Sequence, residues 1–128
     1  RRRNAAAGAR PYSRSWARIG VVVVDVDGNT YEGSNLSNAN PALTNCAERM
    51  AIQCAVSSGA KQIASLLLYS NSDEILTPCG MCRQVMAEFQ ADDGMDVFLL
   101  SRNKQYKTTI GQLLPDPYVP KRYIPTAE

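Results

Sequence analysis

The chain has 128 residues, 45% hydrophobic and 20% charged, which is enough for one domain with its own core and too little for two. Apolar runs such as VVVV at Val21–Val24 and LLLY at Leu66–Tyr69 fall far short of the roughly 20 residues that span a bilayer. The net charge of +2 hides an asymmetry: six Arg and no acid fill the first 18 positions, leaving eight basic against 12 acidic groups beyond.

In chain order, Arg1 to Arg10 reads as a basic helix stopped by Pro11. Its arginines suit phosphate or nucleic acid, and a solvated helix face explains them as well. Ile19–Val26 is an apolar, β-branched strand, Asp27–Thr30 (DGNT) a hairpin turn, and Thr30–Leu36 the returning strand. SNLSNANPALTN is loop chemistry, too polar for a core and long enough for a binding loop. From Cys46, apolar residues at positions 47, 50, 51, 54, 55 and 56 predict a buried helix closed by Gly59. Ile63–Tyr69 is a third strand, and CRQVMAEF a second internal helix. Val97–Leu100 is a fourth strand, with a turn at Arg102–Asn103 and a fifth strand at Gln105–Thr108. Thr109–Leu114 forms one helical turn before a Pro-rich tail, residues 115–128. Strands alternating with helices predict a single α/β domain, a three-layer α/β/α sandwich around a mixed, roughly five-stranded sheet.

Histidine is absent, so Ser–His and Cys–His nucleophile pairs are excluded and any metal site must use thiolates and carboxylates. The opening RRRNAAAGAR lacks the apolar h-region of an export signal. With a full apolar inventory, the four cysteines read as reduced thiols in a cytoplasmic protein rather than as disulfides. A closed zinc site would need all four. Cys46 and Cys54 are eight residues apart on one predicted helix, hence separated by about 12 Å, and one metal cannot hold both. Cys54 is read as a small core residue instead.

Two readings of the remaining thiols stand. TPCGMCRQVM places Cys79 and Cys82 at a helix start after a strand, as in a thioredoxin-like redox pair. That reading leaves CAE at Cys46–Glu48 without a role. Alternatively, Cys46, Cys79 and Cys82 hold a catalytic zinc with an open fourth position. Three thiolates give that ion a formal negative charge, which Arg49 and Arg83 are placed to offset by donating to the sulfurs. Glu48, two residues past the first ligand, then sits where a proton shuttle beside zinc-held water belongs.

CAE followed by PCGMC matches the CxE…PCxxC form of the zinc deaminase signature, with Cys in the first ligand position where nucleic-acid editors carry His. Together with NCAERMAIQCAV, TPCGMCRQVMAEF and LLPDPYVP, the chain from about Tyr12 to Tyr118 resembles the cytidine deaminase family of free-nucleoside enzymes, which includes blasticidin S deaminase. The resemblance implies a cytidine deaminase-like fold, one Zn²⁺ on Cys46, Cys79 and Cys82, and Glu48 protonating the cytosine ring nitrogen and the leaving amine. It implies hydroxide attack at the amine-bearing carbon, with release of ammonia and a uracil product. It also implies that the Ala47 N–H meets the cytosine carbonyl, the Thr77 carbonyl accepts from the exocyclic amine, and Asn35 contacts the sugar. Trp16 falls near the family's aromatic wall, and Tyr118 where an aromatic closes a neighbouring subunit's pocket.

Typical family members carry NxEN where this chain has NLSN, so Ser37 stands in place of a carboxylate that grips a ribose hydroxyl. A hydroxyl makes the weaker contact. The substrate implied is a small cytosine nucleoside, with cytidine or deoxycytidine ahead of blasticidin S. A homotetramer follows from the same resemblance. Neither a membrane nor nucleic acid is an expected partner. A polynucleotide editor of this fold would be expected to have His at the first ligand, and the excess of acid beyond residue 18 also weighs against it. A non-catalytic zinc or redox module leaves Glu48 unexplained.

Overall fold

The computed structural model describes residues 18–36, 39–40 and 43–118. The expected helix over Arg1–Arg10, together with Trp16 and Ser37, lies outside the described residues.

The first hairpin joins β1 (Ile19–Asp25) to β2 (Thr30–Ser34) in antiparallel register, from Gly20 opposite Ser34 to Val24 opposite Thr30. Gly28 takes φ 89°, the left-handed conformation this turn needs and a side chain resists. The strand ends one residue earlier than the apolar run suggests. Asp25 turns its carboxylate onto the backbone N–H groups of Asp27 and Asn29, both at 2.9 Å, and so takes over the turn.

Next come α1 (Ala47–Ser57), β3 (Ile63–Ser70), α2 (Gly80–Phe89), β4 (Asp96–Leu100), β5 (Gln105–Thr109) and α3 (Ile110–Leu113). The sheet order is β2-β1-β3-β4-β5, with β3 and β4 parallel and the other neighbours antiparallel. This is the mixed five-stranded α/β sheet expected. The parallel step is the one that needs a crossover, and α2 supplies it.

One face of the sheet carries the core. Val21, Val23, Leu66, Leu68, Val97 and Leu99 alternate along their strands and pack with Ile52, Met86 and Ile110 from the helices. Among the described residues, all three helices lie on this face: α1 contacts β1 and β2, α2 contacts α1, and α3 contacts α2, so the second helical layer of the expected α/β/α sandwich has no counterpart among them.

The buried stripe of α1 is Ala47, Glu48, Ala51, Ile52 and Ala55, spaced at i, i+4. Cys54 is exposed, contrary to the expectation of a core residue. The reason is the narrowness of the contact. A Cβ on Gly33 of β2 would lie 2.5 Å from the Ala47 carbonyl oxygen and 2.5 Å from the Ala51 nitrogen. Helix backbone therefore rests directly on strand backbone, and the alanines face the closest approach, with Ile52 the one larger apolar residue of α1 in the buried stripe.

Candidate active site

Both α1 and α2 begin at a cysteine. Cys46 (φ −74°, ψ 149°) and Cys79 (φ −69°, ψ 170°) are extended N-cap residues whose side chains make no capping hydrogen bond. Their sulfurs are thus available to each other and to Cys82, one turn into α2. The three Sγ atoms lie within 4.8 Å of one another, with Cys79 and Cys82 at 3.6 Å. Tetrahedral zinc with Zn–S bonds of about 2.3 Å needs sulfurs about 3.8 Å apart, so the donor set fits the ion. Among the described residues, no fourth His, Cys, Asp or Glu joins the cluster. The exposed Cys54 stands apart from it, which removes the closed four-thiol site.

The thiols are electrostatically unequal. Cys46 is held down to about 5 by the hydrogen bond from the Cys82 thiol and by the Arg49 guanidinium, against the opposing effect of burial. The same bond, with burial, pushes Cys82 up. Arg49 donates from Nη2 to the Cys46 sulfur at 3.6 Å and to the Thr44 carbonyl at 3.0 Å, while its buried Nε has no partner. Arg83 behaves differently from the expectation that it would reach the sulfurs. Its Nε donates to the Pro78 carbonyl at 2.7 Å and its Nη1 to the Leu113 carbonyl at 2.9 Å.

Glu48 is 5% exposed. Burial raises its pKa, and the negative charge developing on Cys46 adds to the rise; its own backbone N–H, the Cys82 thiol and Arg49 pull the other way. A carboxyl group so held gives and takes protons more readily near neutrality than one in water.

A cleft of about 300 Å³ opens over the thiols. Asn35, Ala47, Glu48 and Thr77 line it together with Cys46 and Cys79. Asn35 is buried, and its Oδ1 accepts the Ile19 N–H at 3.0 Å, which fixes the amide plane. Sequence reasoning missed Ile19, Thr44, Asn45 and Leu76, which also line the cleft. Asn45 and Leu76 each adjoin a residue that was named, and Thr44 lies two residues before Cys46. Ile19 is reached only through pairing, because the hairpin register lays the start of β1 beside Asn35. Tyr118 is 55% exposed, is not among the described lining residues, and has its carbonyl held by Gln84 Nε2 at 3.0 Å.

An α/β fold that gathers three thiols, a buried carboxyl group and a cleft at the starts of two helices defines a zinc-dependent enzyme with an open coordination position. The known relatives narrow this class. A sequence model of the cytidine and deoxycytidylate deaminase zinc-binding region matches residues 3–95. A cytidine deaminase of Sporosarcina psychrophila is 38% identical over 106 residues, 82% of this chain and 76% of that one. The crystal structure of cytidine deaminase from Burkholderia pseudomallei superposes with a TM-score of 0.83 at 31% identity, covering 91% of this chain and 93% of that one. A blasticidin-S deaminase of Bacillus cereus is 36% identical over a shorter stretch, 59% of each chain. The chain belongs to the cytidine deaminase family and is a zinc-dependent hydrolytic deaminase. Among the described residues, no helix is long and apolar enough to cross a membrane.

Proposed function

We propose that the chain deaminates a free cytosine nucleoside, giving the uracil nucleoside and ammonia, with Cys46, Cys79 and Cys82 as zinc ligands and Glu48 as the proton carrier. The observation that carries this reading is the burial of Glu48 between the thiol cluster and the cleft. Zinc held by the thiols would supply a water acidified to about pKa 7. Glu48 would accept one proton from water as it adds to the amine-bearing ring carbon and pass it to the ring nitrogen, then take the second from the new hydroxyl group and pass it to the departing amine. The Ala47 N–H stabilises the cytosine carbonyl oxygen and the Thr77 carbonyl orients the exocyclic amine. Asn35, held by Ile19, meets the sugar. Arg49 offsets the charge of the thiolates through Cys46.

The sugar preference rests on Ser37. With a hydroxyl where a carboxylate is usual in this loop, ribose is gripped less firmly, which keeps a blasticidin-type substrate as the second reading and agrees with the Bacillus cereus relative. We further propose a homotetramer in which Tyr118 closes a neighbour's cleft. Exposed Leu43 and Met81, which adjoin in sequence cleft-lining Thr44 and the proposed ligand Cys82, support it, as does the exposure of Tyr118. A cytoplasmic location agrees with the four free thiols.

The test is a substrate panel of cytidine, deoxycytidine, cytosine and blasticidin S, followed by ammonia release and the ultraviolet shift. Turnover of cytidine or deoxycytidine is expected, and Ser37→Glu should lower the KM for cytidine. Ammonia from none of the four compounds would reject the reading.

A further inference from the structure

Arg83 neighbours a zinc ligand, yet its guanidinium turns away from the sulfurs and clasps two carbonyls, Pro78 at 2.7 Å and Leu113 at 2.9 Å. The first belongs to the segment carrying Thr77 and Cys79 on the cleft wall. The second ends α3, where the C-terminal segment departs. Next to Arg83, Gln84 holds the same segment further on, at the Tyr118 carbonyl.

The geometry at Pro78 gives this clasp a consequence. The pyrrolidine ring fixes φ of Pro78, and its side chain is fully buried. Its ψ has no such lock, but that angle sets where the Pro78 carbonyl points, and Arg83 Nε holds that carbonyl. With both dihedrals fixed, the peptide planes on either side of Pro78 move as one body. One carries the Thr77 carbonyl and the other leads into Cys79. Guanidinium geometry suits the task, because separate N–H groups of one rigid plane reach both carbonyls.

We infer that Arg83 is a positioning residue that sets substrate affinity by locking the Pro78 peptide, and that it couples the cleft wall to the C-terminal segment at Leu113. This rests on the proposed nucleoside reading for its kinetic consequence, though not for the clasp itself. Removing the guanidinium leaves the zinc ligands in place and lets the Thr77 carbonyl drift. Misplacing an orienting group is therefore expected to raise KM by about tenfold, with kcat and metal content less affected.

Two readouts on zinc-loaded protein test it. Arg83→Met should raise the KM for the best nucleoside by about tenfold while zinc content and the visible spectrum of the cobalt-substituted form stay those of the parent. Arg83→Lys keeps the charge and stem but can hold only one carbonyl well, so its KM should fall between the two, and it serves if the methionine variant does not fold. Amide exchange should quicken at 77–79 and at 113–118 together, and remain unchanged in α1. That measurement needs no turnover, so an inactive parent would count against the proposed function without deciding this one. A parental KM, loss of zinc with KM unchanged, or unaltered exchange at either segment would overturn the inference.

Discussion

Asp25 illustrates how one carboxylate organises a hairpin. It is 4% exposed and accepts from Asp27 N–H, Asn29 N–H, Asn29 Nδ2 and Tyr31 Oη. Burial works to raise its pKa, but the bonds from Asn29, Asp27 and Tyr31 outweigh it and hold the carboxyl below its ordinary value. A folded-state pKa below the unfolded one stabilises the fold above the unfolded pKa, and that contribution is lost as pH falls through the folded value. Asp25→Asn should therefore lower the urea midpoint at about pH 7, and the deficit should shrink as the pH is taken below the ordinary carboxylate range. An equal deficit in both ranges would mean the charge contributes nothing. Residue chemistry of this kind was partly legible in the sequence. DGNT announced the turn, and Asp25 lies in the strand as the sequence placed it, but spacing gave its carboxylate no role, because burial and the contact from Tyr31 across the hairpin are not visible there. Arg83 shows the same limit. Its position beside Cys82 suggested the sulfurs, whereas it reaches back to Pro78, five residues earlier, and across to Leu113, which the packing of α3 on α2 brings near.

The elements follow the sequence closely where long apolar runs exist, as in β1, β3 and β4, and less closely where packing is tight. The buried stripe of α1 was misread at Cys54 because hydrophobicity alone does not reveal that Gly33 brings the helix backbone onto β2. That close approach also fixes where α1 begins, and with it Cys46 and Glu48. Gly33→Ala would place a methyl 2.5 Å from backbone atoms of Ala47 and Ala51, so the helix must shift. The expected loss is about 1–3 kcal/mol in equilibrium unfolding, accompanied by weaker zinc retention. A variant as stable as the parent would mean that α1 can lift without cost. The two cysteine N-caps were legible from CAE and PCGMC, since helices starting at ligands follow from the motif itself. The exact cleft lining was not, because Ile19 and Leu76 converge only when the sheet is assembled.

At the scale of the molecule, the three cysteines proposed as ligands join segments that are far apart in sequence. Cys46 leads into α1, Cys79 and Cys82 open α2, and β3 lies between them in the chain. A metal bound only by the folded arrangement stabilises it by mass action. Chelation should lower the melting temperature, and zinc added back should restore it; an unchanged melting curve would show that the thiols hold no structural load.

The central claim, that Glu48 moves protons beside a zinc held by Cys46, Cys79 and Cys82, is tested most directly by Glu48→Gln assayed for zinc and ammonia on the same sample. Parental zinc content with ammonia release reduced by at least about a hundredfold is predicted. Parental turnover, or zinc lost together with activity, would contradict it.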